Sequence, residues 1–186
     1  MQVLAALHAS IARRAQRGLS LIEVCTTLAV ASVLAGTAIP SFEQSKNKRV
    51  LDGTAAELAT DLHYVRSEAV ARNEGVRIGF RNVAGGTCTL IHTGSNADCL
   101  CSADGVAQCG NGATLLKSHF HPANAGLAVS ANVTSMRFDP TNGTVTPTGT
   151  VTMASASGQS LQHVVNIMGR VRTCSPGGTV KTVKAC

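Results

Sequence analysis

The feature that most constrains this chain is a long apolar segment close to its N-terminus. Residues 19–39 carry a single charge, Glu23. At ~1.5 Å rise per residue they form a helix of roughly 30 Å, which matches the hydrocarbon core of a bilayer. Arg13, Arg14 and Arg17 precede the segment and, by the positive-inside rule, hold its N-terminal end in the cytoplasm. We therefore expect one membrane-spanning helix, with the rest of the chain in the periplasm or outside the cell.

The helical pattern continues beyond the apolar segment. Apolar residues recur at alternating steps of four and three and define one face of a helix: Leu51, Ala55, Leu58, Leu62, Val65 and Ala69. The charged residues between them are expected to face water: Asp52, Glu57, Asp61, Arg66, Glu68 and Arg72. The sequence thus predicts one long helix over residues 19–73, whose second half packs on the remainder of the chain.

Short β-type runs follow the helix and are separated by turn residues. They cover residues 76–80, 87–92, 113–120, 135–139, 148–154 and 161–171. Residues 94–112, rich in Gly, Ala, Asn and Cys, indicate a long loop, and residues 175–178 open a loose C-terminal tail. We predict an α+β fold in which the long N-terminal helix packs on an antiparallel β-sheet within a single head domain.

Seven cysteines are present, and one of them, Cys25, lies in the apolar segment. The other six follow it: Cys88, Cys99, Cys101, Cys109, Cys174 and Cys186. Because a small domain with few aromatic residues gains from cross-links, we expect these six to form disulfides in an oxidising compartment. Cys174 and Cys186 flank a Pro-Gly-Gly turn and are expected to pair, closing a short loop. The alternative for the remaining four is a zinc site.

A short motif marks the start of the apolar segment. It reads Arg17-Gly18-Leu19-Ser20-Leu21-Ile22-Glu23. This segment closely resembles the cleavage and assembly signature of type IV pilins and type II secretion pseudopilins, except that Leu19 occupies a position where Phe is commoner. The resemblance implies that a prepilin peptidase cuts between Gly18 and Leu19 and methylates the new amino group. An ionised Glu23 inside a bilayer costs ~2.5–3.5 kcal/mol. The resemblance implies that the N-terminal amine of a neighbouring pilin neutralises it.

This motif divides the chain into a leader at residues 1–18, a transmembrane and filament-core segment at 19–45, and a head domain at 46–186. The alternative is an ordinary secretory signal with a cut near Ala38, but such signals seldom carry an acid at this place or continue into a long amphipathic helix. The resemblance implies a prepilin held in the inner membrane by a single pass, with its head in the periplasm. It would then assemble with other pilins into a surface filament.

Several stretches resemble the FimT/GspH/FimU branch of that family. They are residues 58–81, 136–140, 149–152 and 169–172. The first of these is the most specific, since it contains an Arg-Ser-Glu-Ala run followed by Arg-Asn at the end of the helix. The resemblance implies a minor subunit at the tip of a pilus or pseudopilus and not a subunit of the shaft.

Positive charge accumulates towards the C-terminus. After Asp139 no acidic residue remains, and four basic residues give residues 140–186 a charge of +4: Arg170, Arg172, Lys181 and Lys184. In an extended segment Arg170 and Arg172 project to the same side, about 7 Å apart, and suit successive phosphates. Gly169 lets the backbone approach a ligand closely. The sequence therefore predicts weak binding to the phosphates of a nucleic acid, without sequence preference.

The Gly-Arg-Val-Arg stretch at 169–172 also resembles the Gly-Arg-x-Arg motif of FimT-type minor pilins, which bind DNA for natural transformation. The resemblance implies that Arg170 and Arg172 contact DNA at a competence pilus tip. Lys181, Lys184 and Arg137 are expected to assist them. Because the tail has no aromatic side chains, base stacking on single strands is not expected.

Other interpretations stay open. The two arginines can form an ordinary solvated strand face, in which case the chain is a structural minor pilin or GspH-like pseudopilin that primes filament assembly. His119 and His121 can place two imidazoles on one strand face, but without a third ligand we expect a surface pair and not a metal site. Since the sequence has no Gly-x-Ser-x-Gly, phosphate loop or carboxylate pair, we expect neither catalysis nor a cofactor.

Overall fold

The structure is a computed structural model that describes residue 18 and residues 20–186, with the backbone alone at residues 37–40. The predicted leader except Gly18, together with Leu19, lies outside the described residues. The chain forms two compact units, which meet in the sequence between Ser41 and Phe42.

The N-terminal unit contains the first part of helix α1 (Leu21–Arg72). The carbonyl oxygen of Ser20 accepts two amide hydrogen bonds from the first turn, at 3.0 and 3.1 Å. Three hydroxyls donate to carbonyl oxygens three residues earlier, and they belong to Thr26, Thr27 and Ser32. These hydroxyls therefore bring no unsatisfied donor into lipid. The start of α1 is long and apolar enough to cross a membrane, which fits the predicted single-pass anchor.

In the second unit, the apolar stripe predicted on α1 is confirmed, because its members are all buried: Leu51, Ala55, Leu58, Leu62, Val65 and Ala69. Asp61 contradicts the expectation that the charged residues of the helix face water. It is only 2% exposed, and its Oδ1 accepts a hydrogen bond from Nζ of Lys117 at 2.5 Å. The lysine neutralises a carboxylate that would be costly to bury alone.

Most of the rest of this unit consists of antiparallel strands. Among the described residues there are eleven: β1 (Val76–Val83), β2 (Gly86–Thr93), β3 (Cys99–Cys101), β4 (Ala107–Cys109), β5 (Leu115–Pro122), β6 (Leu127–Ala131), β7 (Ser135–Phe138), β8 (Val145–Thr146), β9 (Gly149–Ser155), β10 (Ser160–Val165) and β11 (Val171–Cys174). Sheet one has the order β5-β2-β1-β7-β8, sheet two has the order β11-β10-β9-β6, and β3 pairs with β4. The predicted α+β fold, a long helix packed on antiparallel sheets, is therefore confirmed.

Five of the predicted strands match β1, β2, β5, β7 and β9 to within a few residues. Four strands lie where the sequence predicts none: β3 and β4 fall within residues 94–112, and the other two are β6 and β8. β6 is an edge strand whose alternate positions hold Ala128 and Ser130, so the apolar pattern is weak. β8 has two residues, too few for any period to be recognised.

The core lies between α1 and the inner faces of both sheets. Met136 and Phe138 of β7 and Met153 of β9 are fully buried in the same cluster as the stripe on α1. His163 of β10 is also buried there. Its Nε2 lies 2.7 Å from the carbonyl oxygen of Ala55 on α1, and its Nδ1 lies 3.0 Å from Oγ1 of Thr173. Burial lowers the pKa of His163, so the neutral ring is favoured in the core.

Residues 94–112 are not the open loop that was predicted, because they contain the hairpin of β3 and β4. Cys99 and Cys109 face each other in register and form a disulfide. A second disulfide joins Cys101 to Cys88 of β2, and it holds the hairpin on sheet one. We call residues 99–109 the Cys-rich hairpin. Its three-residue strands are too short for pattern recognition, and the two disulfides cross-link the hairpin internally and to sheet one.

Candidate nucleic-acid interface

Arg172 lies on β11, the edge strand of sheet two. It pairs with Val164 of β10, whose neighbours His163 and Val165 are buried, so Arg172 projects from the face that turns away from the core. Arg170 comes just before the strand, and both arginines are exposed. Within the described part of the chain, neither guanidinium has a side-chain hydrogen bond or a carboxylate at ion-pair distance.

A tight turn connects β10 to β11. The amide of Gly169 donates to the carbonyl oxygen of Asn166 at 2.9 Å, and the amide of Asn166 donates to that of Arg170 at 3.2 Å. Gly169 has φ 70°, the left-handed conformation that closes a three-residue hairpin loop. The prediction of one strand over residues 161–171 is therefore wrong, because residues 166–169 reverse the chain.

Gly169 does allow a close approach, but to another part of the same chain. A Cβ atom at this position would stand 2.6 Å from the carbonyl oxygen of Gly143 and 3.4 Å from Cδ of Arg66. The glycine is therefore required by the turn and by its packing against α1 and the loop before β8. The motif at 169–172 begins with a residue whose role here is structural.

The C-terminal tail is held against sheet two and is not the loose segment that was expected. A disulfide joins Cys174 to Cys186, the pair expected from the sequence. The amide of Val180 donates to Oγ of Ser175 at 2.9 Å, and Val180 is buried in the core. The amide of Ser175 donates to the carbonyl oxygen of Lys184 at 2.8 Å. Two exposed lysines project from this loop, Lys181 and Lys184.

We call the four exposed basic residues of this region the basic edge: Arg170, Arg172, Lys181 and Lys184. Arg170 and Ser175 are five residue steps apart, which is roughly 17 Å of extended chain at ~3.3 Å per residue. Lys184 lies beside Ser175 through the backbone hydrogen bond. Because each strand of a DNA duplex presents a phosphate every ~3.4 Å of helix axis, the edge is long enough to meet several phosphates at once.

Arg137 belongs to a different group of arginines. It lies on β7 of sheet one, in register with Arg77 of β1, and its Nε is 2.6 Å from the place that a Cβ on Gly75 would take. Arg77 donates to Oγ of Ser135 at 3.1 Å. Burial, then the charges of Arg137 and Arg81, lower the pKa of Arg77. Arg137 thus sits in a cluster on the outer face of sheet one and not on the basic edge.

The turn carries two features that the sequence analysis does not predict. Arg66 of α1, expected simply to face water, packs its side chain against Gly169 and Gly143. Ile167 and Met168 are 60% and 55% exposed at the centre of the turn. The Asn-x-x-Gly spacing of residues 166–169 is the sequence signal that would have indicated this turn.

The other candidate residues are arranged as follows. His119 and His121 lie on one face of β5, with ring centroids 6.4 Å apart, and Nε2 of His119 lies 3.0 Å from Oε1 of Glu57. No group of three potential ligands that could hold a metal ion occurs in the described residues. The zinc alternative fails, because all four of its cysteines are in disulfides: Cys88, Cys99, Cys101 and Cys109.

The processing residues lie in the N-terminal unit. Gly18 is exposed, Leu19 is outside the described residues, and Glu23 is exposed in the first turn of α1.

The family of the chain follows from comparison with known proteins. The family model for the type II transport protein GspH matches residues 54–169, which is 116 of the 186 residues. The chain belongs to the GspH family. The match extends from α1 to Gly169 and ends before Arg170, so the basic edge lies beyond it.

Individual relatives cover between 44% and 69% of the chain. Pilin-like protein PilA1 of Thermus thermophilus is 37% identical over 82 residues, which is 44% of this chain and 51% of that protein. The chain thus spans about half the length of this curated relative. Among solved structures, the type IV minor pilin FimU of Pseudomonas aeruginosa is similar with a TM-score of 0.49 and 24% identity, over 69% of this chain and 94% of FimU.

A second solved structure is the minor pseudopilin EpsH from the type 2 secretion system of Vibrio cholerae. Its TM-score is 0.46 and its identity 15%, over 68% of this chain and 98% of EpsH. These comparisons identify the family of the chain, but they do not show that it is of the FimT type.

Proposed function

We propose that this GspH-family protein is a minor pilin of the FimT type, which binds double-stranded DNA at a pilus tip for uptake in natural transformation. The observation that carries the proposal is the basic edge itself. Its four basic side chains are exposed, and no acidic residue follows Asp139 in the sequence. An anionic polymer is the partner that such an edge attracts.

The geometry supports contact with phosphates and not with particular bases. Arg172 and its neighbours project from an edge strand, where nothing in the described chain competes for their donors. Guanidinium groups can donate two parallel hydrogen bonds to one phosphate, while lysine acts as a point charge. Binding by one head should be weak, and several heads on one filament would raise the effective affinity.

The test uses a fragment of residues 46–186, which contains every residue of the buried core. Its affinity for two unrelated duplexes of equal length is measured by fluorescence anisotropy over a series of salt concentrations. We expect equal affinities and a log–log salt slope of roughly −3 to −4 for four phosphate contacts. The Arg170→Ala/Arg172→Ala variant should lose about half of that slope.

A matched control separates the basic edge from net charge. Lys46→Ala/Arg49→Ala removes two exposed charges from α1 and leaves sheet two intact. It should bind DNA with nearly the parent salt slope. Equal weakening of the two double variants would mean that the protein attracts DNA through its overall charge alone. Absence of binding by the parent fragment at low salt would remove the DNA proposal.

Export and anchoring are part of the same proposal. A prepilin peptidase would cut between Gly18 and Leu19 and methylate the new N-terminus, and Glu23 would pair with that amine in a neighbouring pilin. The head would stand in the periplasm before assembly. Gly18→Trp should leave an uncleaved, membrane-bound precursor, which intact-mass analysis would detect. A mature N-terminus near Ala38 or Ser41 would instead indicate an ordinary secretory signal.

The second candidate function is structural, and the GspH family match favours it. In that case the chain primes assembly of a pilus or secretion pseudopilus, and the basic edge is only a solvated surface. The two functions separate in a host that lacks its own copy of the gene. If Arg170→Ala/Arg172→Ala restores filaments but not DNA uptake, the DNA function is supported. If it restores both, the structural function is the better description.

A further inference from the structure

The turn between β10 and β11 carries two large apolar side chains that are more than half exposed. Ile167 and Met168 are 60% and 55% exposed, at the two central positions of the turn. We call this pair the apolar tip. It stands immediately before Arg170, so the most exposed apolar group of sheet two adjoins the basic edge.

Hydrogen bonds hold the backbone of the apolar tip on both sides. Oδ1 of Asn166 accepts hydrogen bonds from the amides of Met168 at 3.1 Å and Arg170 at 2.9 Å. The amide of Val145 on β8 donates to the carbonyl oxygen of Ile167 at 2.8 Å, which ties the turn to the end of sheet one. A preorganised projection loses little conformational entropy when it is buried in a partner.

The surroundings of the apolar tip are positively charged. Arg170 and Arg172 follow it, and the side chain of Arg66 lies against Gly169 at its base. The nearby carboxylate of Asp139 is turned onto its own loop, where it accepts the amide hydrogen of Thr141 at 2.9 Å. An apolar projection flanked by arginines is complementary to a DNA duplex, in which the apolar faces of the bases lie between two rows of phosphates.

We propose that the apolar tip is a wedge, which enters the minor groove of double-stranded DNA and inserts between base pairs while the basic edge holds the phosphates. Isoleucine and methionine are among the side chains that unstack base steps and kink a duplex in this way. The inference rests on the proposed DNA binding. It adds a mode of contact, because phosphate contacts alone do not separate stacked base pairs.

The same chain offers a matched control for the apolar tip. Leu100 and Val106 of the Cys-rich hairpin are 59% and 57% exposed. Their neighbours in sequence include Asp98 and Asp104, so this second apolar pair lies in an acidic setting. Substituting either pair removes a similar exposed apolar area, but only the apolar tip adjoins the basic edge.

The experiment uses the full chain in nonionic detergent and a duplex labelled at both ends for energy transfer. We expect the parent to shorten the end-to-end distance of the duplex, and to prefer by several-fold a duplex with a central mismatch, which is easier to unstack. Ile167→Ser/Met168→Ser should bind about tenfold more weakly, abolish the bend and the mismatch preference, and keep the salt slope of the parent. Leu100→Ser/Val106→Ser should behave like the parent.

The outcomes separate this inference from the proposed function. If the parent binds DNA but the Ile167→Ser/Met168→Ser variant binds and bends it equally well, the wedge is wrong and phosphate binding stands. If the variant keeps full DNA affinity and instead loses association with neighbouring pilins, the apolar tip is a protein contact and the wedge is also wrong. If the parent does not bind a duplex at low salt, the proposed function fails and the wedge fails with it.

Discussion

Sheet one and the basic edge of sheet two both carry basic side chains, and they use them differently. On sheet one, Arg81 donates to the backbone oxygen of Asn96 and, at 2.8 Å, to its Oδ1, while Lys117 pairs with Asp61. On the basic edge, Arg170 and Arg172 have no such partner among the residues that the structure describes. A basic residue with a partner in its own chain holds the fold together, whereas one without is available to an external anion.

The difference follows from what surrounds each group. Sheet one carries the Cys-rich hairpin on its outer face, and the carbonyl and amide groups of residues 94–98 come within reach of Arg77 and Arg81. β11 is an edge strand followed by a disulfide-closed loop without acidic residues. Substitutions of basic residues on sheet one should therefore lower stability, whereas substitutions on the basic edge should lower DNA binding.

The largest effect is expected at the ion pair between α1 and β5. Lys117→Met leaves the carboxylate of Asp61, which is only 2% exposed, without its partner. Breaking a buried pair in this way costs ~3–5 kcal/mol, and we expect about 3 kcal/mol because the Lys117 side chain is 36% exposed. Urea unfolding of the oxidised fragment of residues 46–186 measures the loss.

A double variant tests the cause of that loss. Asp61→Leu/Lys117→Met removes both charges and should recover most of the stability, since an apolar pair of similar size can replace a buried ion pair. A Lys117→Met variant as stable as the parent would show that sheet one does not depend on its internal pairs, and the comparison with the basic edge would lose its basis.

The next effect in size is expected at Arg81. Arg81→Ala removes charge-assisted hydrogen bonds to Asn96 and should cost about 2 kcal/mol of the free energy of unfolding. Amide exchange in residues 94–98 should become faster, because the side chain ties that segment to β1. Arg81→Lys should recover part of the loss. Unchanged exchange in that segment would mean that the disulfides alone hold it.

A third prediction concerns how the stability of the protein depends on pH through its buried histidines. Burial lowers the pKa of His163, of His92 and of His121, so the unfolded chain binds protons more readily than the folded one. The free energy of unfolding should therefore be greatest above about pH 6.5, the ordinary histidine pKa, and should decrease as the pH falls below that value. Urea midpoints measured down this range test the direction. His163→Gln should flatten the fall, and a parent midpoint that rises on acidification would contradict the assignment.

The parts of the fold that could be predicted are those with a local period. The stripe on α1 repeats every three or four residues, and the buried positions of β9 and β10 alternate, so both are readable from the sequence. The burial of Asp61 could not be predicted in this way, because its partner lies 56 residues further along the chain. The pairing of the cysteines near residue 100 depends on a hairpin too short to give a period.

In the candidate site, too, local sequence features could be predicted and long-range contacts could not. The charge of Arg170 and Arg172 is visible in the sequence, and so is the absence of acids after Asp139. The backbone of this region differs from its prediction, because a turn ends at Gly169 and the burial of Val180 fixes the tail. Both depend on contacts with distant parts of the chain, including Gly143 and Ser160.

The smallest effect on stability is expected at the basic edge. Arg172→Ala should change the free energy of unfolding by less than about 0.5 kcal/mol, because the side chain is exposed and has no partner in the described chain. Its backbone pairing with Val164 is unaffected, and His163 and Thr173 beside it stay in place. The same variant should lower the DNA salt slope by roughly one contact. Measured side by side, Arg81→Ala should lose stability and keep DNA binding, and Arg172→Ala should do the reverse. If Arg172→Ala instead unfolded as readily as Arg81→Ala, the arginines of both sheets would be structural, and DNA would have no exposed residues to bind at β11.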